Sequence, residues 1–264
     1  MFWIYDIPTW LMFVIIVGGF SVLGVAGLFL TQRPVAWVVG EAPNHNEGVD
    51  VFIGAVGVLY GLIAGLIAVA VWEQYATVDA RVSQEAAAMG AIYRDAAEFP
   101  EPTKTQLQDT IRNVTYDTMT RGWALQRRGE TPSRINPALN RVTDLIYGFK
   151  PTDSRDADVQ QSAMAEFGKI YELRRQRLHD ASAGLPASPY AVVFIGRAHH
   201  HVDVLSRARA DSVARRYETN RLGNDRLVVF MIVAMDHPFR GEVSIAPDAF
   251  EEAHDVLMRA PSQR

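Results

Sequence analysis

The chain of 264 residues contains no cysteine, which excludes disulfides, thiolate nucleophiles, Fe–S clusters and Cys-type zinc sites. Charge is nearly as scarce over the first 72 positions, where only Asp6, Arg33, Glu41, Glu47 and Asp50 carry it. Lysine is rare throughout, 3 against 23 arginines, a skew that points to a GC-rich bacterial genome. The net charge of -4 offers no basic surface for nucleic acid. Alternating strand patterns are scarce, so the chain reads as all-α.

What is present is long apolar sequence. Val51 to Trp72 runs 22 residues without a charge, bracketed by Asp50 and Glu73. About 20 apolar residues suffice to cross a ~30 Å hydrocarbon core as a helix. A second uncharged run covers Ile7 to Leu30. Together they predict an N-terminal transmembrane helical hairpin over residues 1–72, with spans at about 7–30 and 51–72. The leader Met1 to Asp6 lacks Lys and Arg, so the first span reads as retained rather than as a cleaved signal. Trp3, Tyr5 and Trp10 stand where aromatic rings favour the lipid–water boundary.

Helical periodicity does not stop at Glu73. Val78, Val82, Met89, Ile92 and Ala96 continue it, predicting one helix from about Val51 to Phe99, ended by Pro100 and Pro102. Thr103 with Gln106 is expected to form a capping box. Further helices are expected at about Thr103–Arg128, Pro132–Phe149 and Thr152–Ala183. These make residues 73–186 a soluble helical bundle.

Residues 187–240 then begin a second membrane hairpin that is interrupted. The apolar stubs Tyr190–Gly196 and Leu227–Met235 flank a block at 197–226 with seven Arg, four acids and His199-His200-His201. Seven Arg exclude a bilayer crossing for this block, since each costs roughly 2.5–3.5 kcal/mol at a span centre. Either it is a genuine charged helix between surface-lying stubs, or it is an out-of-frame stretch within an original helical hairpin; its Lys-free, Arg-Ala-Asp-rich text favours the second. Residues 241–264 read as a polar C-terminal tail.

Gly54, Gly57, Gly61 and Gly65 recur at intervals of three and four. They line one face of the second span with residues that let another helix approach closely. That face reads as packing against the first span, or as a pore-lining or oligomer-contact surface. Glu73 either lines a permeation path or marks the membrane boundary. Arg174, Arg175 and Arg177 read as a solvated face partnered by Glu172 and Asp180, against an alternative attraction for anions or lipid headgroups. The triple His lacks a His or Cys at i+4, so no metal site is expected. His179 with Asp180 and His254 with Asp255 read as solvated pairs. Phosphate-loop and nucleophile-elbow motifs are missing, so no enzymatic activity and no cofactor are expected.

Four segments carry a resemblance: YDIPTW (Tyr5–Trp10), GVLYGLIAGLIAVAVWEQY (Gly57–Tyr75), EAAAMGAIYRDA (Glu85–Ala96) and DHPFRGEVSIAPDAFE (Asp236–Glu251). In these the chain resembles the bestrophin-like domain family of bacterial integral membrane proteins. The resemblance implies two membrane hairpins around a helical domain, with Asp236, Pro238, Phe239 and Gly241 as a family motif. Bestrophins proper are pentameric anion channels whose last span is followed by a Pro-Phe-Gly element and calcium-binding acids. Here Arg240 intervenes between Phe239 and Gly241 and the acids are dispersed, which departs from that calcium pattern. Two functional readings follow: an oligomeric channel passing small ions, or a membrane-anchored helical scaffold or sensor that recruits a partner. The implied partners are the lipid bilayer, further copies of the chain and small ions. A multi-pass position in the bacterial inner membrane is expected. Orientation stays open, Asp6 placing the N-terminus outside and the resemblance placing the bundle in the cytoplasm.

Overall fold

The computed structural model describes residues 3–22, 26, 46–130, 132, 136–182, 184, 190, 191, 193 and 227–258. Every regular element among them is helical. We number the helices α1 (Thr9–Val22), α2 (Asn46–Asp95), α3 (Thr103–Asp117), α4 (Trp123–Arg127), α5 (Pro137–Gly148), α6 (Ser154–Asp180), α7 (residues 227–235) and α8 (Asp248–Glu252). A π turn, Thr118–Gly122, joins α3 to α4, and another, Ala253–Leu257, extends α8. The interrupted block 197–226, its histidines included, lies outside the described residues.

Two compact units form. The first comprises Met1–Gln74, Gly184–Asp236 and Gly241–Val243; the second comprises Tyr75–Ala183, His237–Arg240 and Ser244–Arg264.

In the first unit α1 buries Met12, Ile16 and Phe20, four residues apart, while Trp10, Val14 and Val22 stay exposed. Its packing partner is α7: Phe13 meets Phe230 edge-on at 5.3 Å, and Val229, Ile232 and Val233 are buried. Tyr5 does not lie at an exposed boundary as its sequence position suggested. It is buried, and its hydroxyl donates to the Val233 carbonyl at 3.0 Å, which satisfies the phenol away from water. Trp3 and Trp10 are exposed, as expected.

α2 is unbroken from Asn46 to Asp95, 50 residues and so about 75 Å long. A short 3-10 turn, Ala96–Glu98, follows before Pro100. This agrees closely with the predicted Val51–Phe99 helix. α2 is the one helix among the described residues long and apolar enough to cross a bilayer. α1 is described over Thr9–Val22, and residues 23–25 and 27–30 of the expected first span lie outside the described residues.

The second unit is a helical bundle. Val78, Val82, Met89 and Ile92 of α2 share its core with Leu107 and Ile111 of α3, Val142 and Ile146 of α5, and Phe167 and Ile170 of α6. Asn136 caps α5 through the Ala138 N–H, with Pro137 at the first helical position. The Thr103–Gln106 capping box is not formed. Instead Glu101 accepts from Thr105, at 3.0 Å from the hydroxyl and 3.4 Å from the amide, because Pro102 occupies the cap position and offers no side-chain acceptor.

The predicted polar tail also packs. Phe250, Ala253 and Met258 are buried in the bundle core, the Ile245 carbonyl accepts from Trp123 Nε1 at 3.1 Å, and the Met258 carbonyl accepts from Arg112 at 2.6 Å. The acids Glu251, Glu252 and Asp255 are exposed, so an apolar stripe lies beneath a charged exterior.

Candidate functional site

Within the first unit, α2 turns a narrow line inward. Tyr60, Ala64, Ala68 and Val71 are buried, spaced by four, four and three. The Tyr60 hydroxyl donates to the Val193 carbonyl at 3.1 Å. The rest of the span is bare. Val58, Leu59, Leu62, Leu66, Val69 and Trp72 are each more than half exposed, and only 22% of the most apolar stretch is buried. Such a continuous apolar face is not what a soluble surface presents.

The glycines border the inward line. Gly57 and Gly65 are half-buried and Gly61 is exposed. A Cβ built on Gly61 or Gly65 would meet no heavy atom within 4 Å, so neither is held small by a neighbour among the described residues. Gly54 lies on α2 where side-chain surroundings are outside the described residues. Glu73 is exposed at the end of the apolar run.

The segment after α7 is divided between the units. In the first, Asp236 is buried and accepts from the Tyr190 hydroxyl. Gly241 has φ +79, a conformation costly for any side chain, and a Cβ there would lie 3.6 Å from the Tyr5 carbonyl oxygen. Glu242 then reaches the start of α1 and accepts from the Thr9 amide at 3.0 Å, satisfying an N–H that no helix carbonyl can reach. Bonds from the Thr9 amide, and from its hydroxyl, hold the Glu242 carboxyl below the ordinary range. Tyr5, Thr9, Met12, Ala234, Gly241 and Glu242 leave a gap of only about 10 Å³ between them.

In the second unit, Phe239 is fully buried and meets Trp123 edge-on at 5.5 Å, while the Pro238 carbonyl accepts from Ile245 at 2.8 Å. Arg240, the residue that departs from the bestrophin pattern, is buried against the turn at Gly129. A Cβ on Gly129 would lie 1.1 Å from its guanidinium, and φ there is +75. Glycine is required at 129 for space as well as for backbone conformation.

Sequence reasoning missed the centre of this unit. Arg177 is 1% exposed and Glu85 0%. They pair through two bonds, Nε to Oε2 at 2.6 Å and Nη2 to Oε1 at 3.1 Å, the bidentate geometry that best compensates desolvation. The guanidinium also lies over Trp123 and Phe250, at 5.4 and 5.7 Å. Of the predicted solvated face, Arg175 alone fits, forked onto Glu172 in the open. Asp180 pairs with Arg81 at 2.8 Å, and Arg174 is buried. Among the described residues no three His, Asp or Glu side chains converge as a metal site.

A family model, the bestrophin-like domain, matches residues 18–199. The chain belongs to the bestrophin-like domain family. The match takes in the Gly57–Tyr75 and Glu85–Ala96 segments; the YDIPTW and DHPFRGEV segments lie outside it. Its end falls at residue 199, within the opening of the charged block. No curated protein and no solved structure matches the chain. In this bestrophin-like chain, then, the matched region holds both the bare apolar stretch of α2 and the Glu85–Arg177 pair.

Proposed function

We propose that the protein resides in the bacterial inner membrane as a multi-pass component, and that copies assemble there around a path for small ions. The observation that carries this reading is the bare face of α2. Six large apolar side chains are open along it beside the unpacked Gly61 and Gly65. Lipid covers such residues, and close helix approach from another copy uses the glycines. Family membership supports the channel-like part by fold-level analogy. Glu73 sits at the mouth of that path or at the headgroup level. No catalytic step belongs to this reading.

Two measurements test it. Purified protein reconstituted in liposomes is expected to carry ion flux, and crosslinking in detergent is expected to trap a closed oligomer. A stable monomer with no flux at any pH or calcium level would sink the proposal and leave the anchored scaffold in its place.

A further inference from the structure

Charge on the first unit has one sign. Its described residues include Asp6, Glu47, Asp50, Glu73, Asp236 and Glu242, and neither lysine, arginine nor histidine. In the sequence no Lys or Arg stands between Arg33 and Arg81, and Arg81 is engaged by Asp180 at 2.8 Å. Two of the acids bracket the apolar stretch of α2. Asp50 and Glu73 stand about 35 Å apart along the helix, just beyond the ~30 Å of a hydrocarbon core. The helix also fixes the direction in which Glu73 is presented. It follows Leu62, Leu66 and Val69 at intervals of four, three and four, and all four residues are exposed, so they form one line on α2. That line runs on the side away from Tyr60, Ala64, Ala68 and Val71.

We propose that the path formed by assembled copies admits cations in preference to anions, and that Glu73 sets this sign. This selectivity rests on the assembly reading above and names the class of ion that passes. Each copy places a carboxylate where the bare apolar line ends, so assembly about an axis repeats it as a ring. The line of Leu62, Leu66 and Val69 is then the apolar wall of the path, and lipid covers the remaining bare side chains. Carboxylate rings select cations, as basic rings select anions. Apolar walls beside such a ring focus its field, which concentrates cations at the mouth and repels anions. An anion path needs a basic ring, and α2 offers no Lys or Arg until Arg81, which Asp180 neutralises. Cation preference therefore runs against the anion conduction of bestrophins proper and comes from the charges of this chain itself.

The test uses the full chain in planar bilayers under a potassium chloride gradient, read as the reversal potential. A preference for potassium over chloride of about tenfold or more is expected. Glu73→Gln should cut that preference severalfold, and Glu73→Lys should turn it toward chloride. Glu73→Asp, which keeps the charge, should retain it. Glu73 is exposed, so these variants should fold, and crosslinking of each checks that assembly is kept. A chloride preference in the unaltered protein would overturn the proposal while leaving the path standing. A potassium preference untouched by Glu73→Gln in an assembled variant would overturn it as well. No current from assembled protein would remove the path itself, and cation selection with it.

Discussion

Glu85 stands three residues after Val82 and four before Met89, so it occupies the buried line of α2 itself. Arg174 and Arg177 fall in the same way on the line through Ala163, Phe167 and Ile170 of α6. Charges at core positions of two helices were therefore visible in the sequence; that they pair with each other was not, because 92 positions separate them. Removing one partner leaves the other charged, buried and unpaired, so Arg177→Met should cost about 3–5 kcal/mol in denaturant unfolding. The double variant Glu85→Leu with Arg177→Met should recover most of that loss, since the two side chains then pack as hydrocarbon. A double variant as unstable as the single one would contradict this account. Gly129→Ala combines left-handed backbone strain with displacement of the Arg240 guanidinium. A loss above the ~1–2 kcal/mol of backbone strain alone is expected.

The ends of elements were legible where a side chain acts on its own neighbours. The Thr152–Ala183 prediction came within three residues of α6, whose start is fixed locally. Asp153 accepts from the Asp156 amide at 2.8 Å, and Asp156 reaches back to the Thr152 amide and hydroxyl at 3.0 and 2.7 Å. Asp153→Ala should cost about 1 kcal/mol. The bonds from Thr152 hold the Asp156 carboxyl below its ordinary value. A depressed value in the folded state means that this contribution is present above the unfolded value, near pH 4, and lost as pH falls through the folded one. Amide exchange in the first turn of α6 should therefore accelerate only below about pH 4, and Asp156→Asn should abolish that acid step. Elements whose boundaries depend on distant partners were harder to read. The α8 region looked like a tail because Glu242, Asp248, Glu251, Glu252 and Asp255 are spread along it, and only the bundle reveals what Phe250 and Met258 cover.

For the whole molecule, hydropathy alone singled out α2, because a bilayer selects for length and lack of charge over a window longer than any local motif. The inward line of Tyr60, Ala64, Ala68 and Val71 was not legible, since every residue of the span is apolar or small and no polar stripe marks the outer face. Single-tryptophan variants in vesicles of brominated lipid test the placement. Trp72 and Trp10, both exposed, should be strongly quenched, whereas Trp123, buried in the bundle core, should not. An unquenched Trp72 would remove α2 from the membrane.

The hydrogen bond from Thr9 to Glu242 joins positions 233 apart in the chain, and Tyr5 finds Val233 over a similar distance. During synthesis α1 is made long before the partners described for it. At roughly 5–20 residues per second, α1 waits on the order of 10 to 45 s before Phe230, Val233 and Glu242 exist. α1 is thus docked only long after it is made. In the interval its apolar side chains have only the surroundings of the nascent chain for company, and a ribosome stalled before residue 227 would leave it without Phe230 and Glu242.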